Sequence, residues 1–167
     1  MNFFMKSVAV TLFVTFSNIA LAKEMKTVEW LFIHTAEKAE MVSDSSFIMP
    51  LNREVLAFTD RPNRQYRYLK ANDYVELWRP DAADGFKINP PNSVISWMVG
   101  DTPYQAKVNI LNSTITNNGD AIFYEIGLLE EIKIPEQIFH VSLFVGGVCG
   151  GNGKGGGKGV GVLIRCK

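Results

Sequence analysis

The chain has 167 residues, of which 47% are hydrophobic, and its 17 Lys and Arg balance its 17 Asp and Glu. A balanced charge argues against nucleic acid and anionic lipid as partners, because both reward an excess of basic residues. The length suits one domain with its own core and is short for two.

The N-terminal segment has the pattern of a secretory signal. Lys6 precedes an apolar run from Val8 to Phe16, and the small-residue motif Ala20-Leu21-Ala22 follows. We therefore expect a signal peptide at 1–22, a single mature domain at 23–167, and a secreted or periplasmic location. No later run of about 18 apolar residues could anchor the mature chain in a membrane.

Downstream, short segments of β-branched and aromatic residues lie between turn formers, which is typical of antiparallel sheets. We predict a mainly β fold: a single antiparallel β-sandwich-like domain of eight to ten strands with one short helix. The first strand, near Thr27 to His34, is apolar on both faces, as expected for a central strand. Asn117 to Asp120 predicts a hairpin turn. The residues expected to face the core in later strands are Val108 and Ile110; Ile122, Tyr124 and Ile126; and Phe139, Val141, Leu143 and Val145.

The segment from Ala71 to Trp78 breaks the β pattern. It contains no proline and places Tyr74 and Trp78 on one side at helical spacing. Arg79-Pro80 then ends the pattern, because a residue before proline avoids the helical conformation. We expect the short helix here, followed by an irregular connection from Asp81 to Pro91. All three tryptophans are expected in the core.

Ten of the sixteen residues from Gly146 to Gly161 are glycine. The tract lies between two strand-like pieces, Phe139 to Val145 and Val160 to Cys166, so we expect a terminal hairpin with a Gly-rich loop at 146–161. A G-x-G-x-x-G pattern occurs in it, but no helix follows, so no nucleotide or other cofactor is predicted. Anion or surface binding by Lys154 and Lys158 remains an alternative.

Cys149 and Cys166 are the only cysteines. Export favours a disulfide between them, which needs Cα atoms within about 7 Å and hence either a turn near Gly157-Lys158 or a glycine loop that folds back. Free or intermolecular thiols are the alternative. No set of His, Cys, Asp and Glu, including His34 and His140, has metal-ligand spacing, so no metal site is predicted.

Asp60-Arg61-Pro62-Asn63-Arg64 is the polar cluster of greatest interest. Proline restricts the backbone while two guanidinium groups and a carboxylate lie within one turn. In the structural interpretation, Asp60 pairs with Arg61 or Arg64 and fixes the turn after a strand at Glu54 to Phe58. In the functional interpretation, Asp60, Arg61 and Arg64 bind a carboxylate, sulfate or sugar acid.

This cluster also carries a family resemblance. The matching pieces are Phe58 to Arg64, Trp78, Phe86, Asn89 to Ser93, and Val141 to Phe144. With them, the chain resembles a family of small exported, mostly bacterial, β-rich proteins. The resemblance implies a compact secreted domain with one short helix and carries over no catalytic residue. The chain departs from the family at Thr59, where serine is usual, and in its glycine-lysine insertion flanked by cysteines.

We predict an exported non-enzymatic domain that binds a ligand or partner at Asp60, Arg61 and Arg64, because no nucleophile, acid and base form a set. The alternative is a hydrolase of extracellular polymers that uses paired carboxylates. Its candidate residues are Asp81, Asp84, Glu130 and Glu131. A membrane-acting toxin is disfavoured, because the glycine tract has few apolar residues to insert.

Overall fold

The computed structural model describes residues 30–81, 85–116 and 118–147. The strands are β1 (Trp30–Ser43), β2 (Ser46–Pro50), β3 (Val55–Thr59), β4 (Tyr66–Leu69), β5 (Asn92–Val99), β6 (Thr102–Ile115), β7 (Ala121–Leu128) and β8 (Gln137–Gly147). Between β4 and β5 lies the short helix α1 (Ala71–Val75), which a 3-10 turn (Glu76–Trp78) continues. The mainly β class and the position of the short helix are thus as predicted. The predicted signal peptide, Cys149 and Cys166 lie outside the described residues.

All eight strands belong to one antiparallel sheet in the order β2-β7-β6-β5-β8-β1-β3-β4. Because β1 also pairs with β2, six strands close into a barrel, and β3 and β4 extend from it. This single closed sheet differs from the sandwich-like arrangement expected from the sequence. The difference arises in β1, whose 14 residues are enough to pair with β3 through Trp30–Ile33 and with β2 through Glu40–Ser43 on one edge.

Alternating side chains of the strands fill the barrel, as the pleat of a half-buried strand requires. Ile122, Tyr124 and Ile126 of β7 are buried, as predicted, and so are Val108 and Ile110 of β6. The three tryptophans also lie in this core. The predicted core positions of these strands are therefore confirmed.

One position of β8 departs from the predicted pattern. Phe139, expected to share a buried face with Val141 and Leu143, is 49% exposed, whereas Ile138 is buried. His140 has a positive φ of 50°, and the register between β8 and β5 shifts at the same point. A β-bulge of this kind inserts an extra residue, so it turns Phe139 outward.

The short helix packs its aromatic side chains against core residues of the barrel. The ring of Tyr74 lies 5.8 Å from that of Phe32, and Trp78 Nε1 donates a hydrogen bond of 3.0 Å to the carbonyl oxygen of Ile110. Phe86, from the connection after the helix, packs on Trp78 with ring centroids 4.8 Å apart. The irregular connection therefore supplies part of the core.

Neither edge of β8 is free for the predicted terminal hairpin. One edge pairs with β1 from Gln137 to Gly147, and the other pairs with β5 from Phe139 to Val145. The predicted partner strand at 160–166 lies outside the described residues, which include only Gly146 and Gly147 of the glycine tract.

Candidate functional site

The outward face of five neighbouring strands carries two rows of apolar side chains. In the first row, the register places Val94, Phe144, Ile33, Leu56 and Tyr68 side by side across β5, β8, β1, β3 and β4. Side chains directly opposite each other on adjacent strands touch. The first row is therefore one continuous apolar strip.

The second row lies beside the first, toward the amino-terminal end of β1. It runs from Gly146 through Leu31 and Phe58 to Tyr66. We call the eight side chains of the two rows the outer apolar stripe. Its members are Leu31, Ile33, Leu56, Phe58, Tyr66, Tyr68, Val94 and Phe144.

The outer apolar stripe is open to solvent. Tyr66 is 73% exposed and Phe144 45%, while the aliphatic members are half-buried. A row of Thr35, Ser142 and Ser96 borders the stripe on one side with hydroxyl groups. Contiguous exposed apolar surface with a polar rim marks an interaction site more often than an isolated exposed residue does.

The stripe contains a groove of about 520 Å³ beside Gly146. Its walls include Leu31, Phe58, Val94 and Phe144 of the stripe, and Lys107 and Leu129 extend it on the far side. A Cβ atom at Gly146 would lie 3.1 Å from the backbone carbonyl oxygen of Asn92, a tight approach. A side chain at this position would therefore require the backbone at Asn92 to shift by a few tenths of an ångström.

The predicted cluster Asp60-Arg61-Pro62-Asn63-Arg64 forms the exposed turn between β3 and β4. Asp60 Oδ1 accepts a hydrogen bond of 2.6 Å from the backbone N–H of Arg61, and its carbonyl oxygen accepts another from the N–H of Arg64. Where β3 ends, Thr59 Oγ1 accepts a hydrogen bond of 2.8 Å from the backbone N–H of Gln65, which joins the two ends of the turn. Asp60 therefore fixes the turn through the backbone.

The guanidinium groups of Arg61 and Arg64 are free to bind a ligand. Among the described residues, neither Arg61 nor Arg64 has an ion-pair partner, so the expected pairing with Asp60 is not formed. The turn follows directly on the pair of Phe58 with Tyr66, which ends the second row of the stripe. The structure thus places the predicted arginine site at one end of the outer apolar stripe.

The turn was predictable from the sequence, whereas the outer apolar stripe was not predicted. The available signal was alternation: Leu56 and Phe58 lie on the face of β3 opposite to the buried Val55 and Ala57. That pattern shows that both faces are apolar. Only the pairing of β3 with β1 and β4 shows that the outward side chains form a common surface.

The barrel interior contains a buried polar chain centred on His34, which is 1% exposed. His34 Nε2 lies 3.0 Å from the carbonyl oxygen of Pro50, and Nδ1 lies 2.9 Å from the hydroxyl of Tyr124. Because a carbonyl oxygen can only accept, Nε2 carries the proton in the neutral ring and Nδ1 accepts from Tyr124. Both ring nitrogens are thus engaged.

Burial sets the protonation of these groups. It lowers the pKa of His34 from 6.5 to about 4, and the hydrogen bond to Pro50, which raises it, compensates only in part. Burial also raises the pKa of Tyr124 well above its usual range, with a further contribution from the neighbouring Tyr74. The side chains of His34 and Tyr124 are therefore neutral at physiological pH. Their hydrogen bonds join β1, β2 and β7.

The carboxylates of the hydrolase alternative are exposed in the described residues. Asp81 accepts a hydrogen bond of 2.6 Å from Arg79, and Glu130 accepts one of 2.8 Å from the backbone N–H of Lys107. Glu131 lines a separate cavity of about 930 Å³. Asp84 lies outside the described residues. Asp81 and Glu130 do not line this cavity with Glu131.

The cavity at Glu131 has further acidic side chains. Asp44 from the β1–β2 turn and Glu136 from the connection before β8 also line it, together with Lys133. Even so, no group of three His, Cys, Asp or Glu in the described part of the chain is arranged to hold a metal ion.

No family model, curated protein or solved structure matches the chain. The resemblance to a family of small exported proteins therefore stays a prediction from the sequence. Within residues 30–81, 85–116 and 118–147, no helix has the length and apolar character needed to cross a membrane.

Proposed function

We propose that the chain is an exported, non-enzymatic binding domain whose ligand is an amphiphile with an anionic group. The apolar body of the ligand lies along the outer apolar stripe and in the groove beside Gly146. Its anionic group is held by Arg61 and Arg64 at the end of the stripe. The observation that carries this proposal is the continuity of two apolar rows with an arginine turn.

The contact area of the outer apolar stripe and the concave shape of its groove both suit an apolar ligand. Four aromatic side chains, Phe58, Tyr66, Tyr68 and Phe144, share one face, and aromatic residues supply large contact areas. The groove gives this surface a concave section, and ligand sites are generally concave and mostly apolar. Export is inferred from the sequence of residues 1–22.

The anionic part rests on charge complementarity. Arg61 and Arg64 are exposed and unpaired within the described residues, and guanidinium groups bind carboxylates and sulfates in a bidentate manner. Within the described residues Asp60 forms no direct ion pair with them, and its Oδ1 accepts the Arg61 backbone N–H.

The apolar contact is tested with sodium decanoate as the probe and Phe144→Ser as the variant. We expect roughly tenfold weaker binding by isothermal titration, because burying much of a phenyl ring contributes about 1–2 kcal/mol. Phe139→Ser is the matched control, since Phe139 lies on the same strand with similar exposure but outside the stripe. Equal losses in both variants would contradict the proposed surface.

The charge contact is tested with the same probe and the double variant Arg61→Ala, Arg64→Ala. We expect about fivefold weaker decanoate binding, because each exposed ion pair contributes roughly 0.5 kcal/mol. Binding of 1-decanol, which has no charge, is expected to stay unchanged. Arg53→Ala is the control, because Arg53 is an exposed arginine before the other end of β3. Equal loss for decanol and decanoate would refute a charge-reading site.

A further inference from the structure

We propose that residues 160–164 of the same chain bind in the groove beside Gly146 and compete there with the ligand. This inference rests on the proposed function, because the groove is part of the proposed ligand surface. The groove is also the place where the described chain ends: Gly146 lines it, and Gly147 is the last residue of β8. Residues 148–167 therefore begin beside it.

β8 cannot accept a further neighbouring strand. Both of its edges are paired, with β1 and with β5, over the part that a returning hairpin strand would need. The apolar residues that follow the glycine tract therefore need a different surface if they are to be buried. The groove is the apolar surface adjacent to the end of β8.

The apolar segment after the glycine tract fits the groove chemically. The segment Val160-Gly161-Val162-Leu163-Ile164 has four aliphatic side chains and no charge. The groove walls are the apolar side chains of Leu31, Phe58, Val94 and Phe144. Contact between these surfaces removes apolar area of both from water.

The connecting stretch is long enough for the segment to reach the groove. Twelve residues, 148–159, separate Gly147 from Val160, and seven of them are glycine. A glycine-rich stretch of that length spans roughly 20 Å, and such a short tether gives an effective concentration in the millimolar range. Weak intrinsic contact is therefore enough to occupy the groove.

The charges of the C-terminal residues also suit this end of the groove. Residues 148–167 contain four basic side chains and no acidic one. Glu130 directly follows Leu129, which lines the groove, is exposed, and accepts the backbone N–H of Lys107, another residue of the groove. Arg165 and Lys167, which follow the apolar segment, thus have a carboxylate of opposite charge at this end of the groove.

The position of the segment is tested by photo-cross-linking of the full chain with p-benzoylphenylalanine at Leu163. We expect cross-links within one chain to peptides that contain Phe58 or Phe144, independent of protein concentration. The same group placed at Lys158, in the glycine tract, is the control and should show no preference for these peptides. Cross-links from Leu163 to other surfaces, or between chains only, would overturn the inference.

Competition is tested with sodium decanoate on the full-length double variant Leu163→Asp, Ile164→Asp. We expect its affinity for decanoate to rise about tenfold, because the competitor is removed. Lys154→Ser, Lys158→Ser should leave the affinity unchanged. An unchanged affinity in the aspartate variant would contradict the inference while leaving the proposed function intact. Cross-links at Phe58 or Phe144 without any decanoate binding would support the inference and contradict the proposed ligand.

Discussion

Lowering the pH from 7 to 4 is expected to remove about 3 kcal/mol of folding stability through His34 alone. The folded pKa of about 4 lies below the ordinary 6.5, so the unfolded chain binds this proton first as the pH falls. Stability is therefore complete above pH 6.5 and declines toward pH 4. Protonation would also place two donors on a ring whose Nδ1 must accept from Tyr124.

The measurement is urea unfolding at pH 7, 5.5 and 4, compared between the wild type and His34→Gln. The variant lacks the titrating ring, so its stability should fall by about 3 kcal/mol less over this range. His140→Gln is the control, because His140 is the other histidine of the chain and is exposed. Equal pH dependence in the wild type and His34→Gln would show that His34 is not the acid-sensitive group.

Phe86→Ala is expected to destabilise the fold by about 3–5 kcal/mol, the usual cost of removing a fully buried phenyl ring. Phe86 is 2% exposed and contacts the rings of Trp78 and Phe32, and its N–H donates to the carbonyl oxygen of Leu77 at 2.8 Å. A domain of this size has a total stability of roughly 5–15 kcal/mol. The variant should therefore lose a large part of it.

Ile88→Ala is the matched control for this prediction. Ile88 lies two residues further along the same connection and is 64% exposed. Its replacement should change stability by less than about 0.5 kcal/mol. If the two variants had similar urea midpoints, the connection would not contribute to the core in the way that the contacts of Phe86 indicate.

The elements predicted correctly from the sequence are those set by local periodicity. Helical spacing located the helix at Ala71 to Trp78, and alternation identified the buried side chains of β7. Phe139 was placed on the wrong face because a bulge at His140 interrupts the alternation. The residue sequence alone gives no strong signal for such an insertion, since φ at a histidine depends on its tertiary surroundings.

The parts that were missed depend on strand register. Leu31 and Ile33 were interpreted as covered on both sides of a central strand, but their outward face is only half-buried. Closure of the sheet needs β1 to pair with β8 and β2 to pair with β7, and each of these pairs joins residues that are far apart in the sequence. Such non-local pairings determine the outer apolar stripe, so the arginine turn was predictable and its apolar neighbours were not.

We propose that the ligand binds on the outside of the sheet, along the outer apolar stripe. An NMR titration of the full chain with sodium decanoate tests this binding position most directly. Amide shifts are predicted to change in β3, β4 and the carboxyl-terminal half of β8, and at Arg61 and Arg64 in the turn. Shift changes confined to the cavity around Asp44, Glu131 and Glu136 would contradict the account.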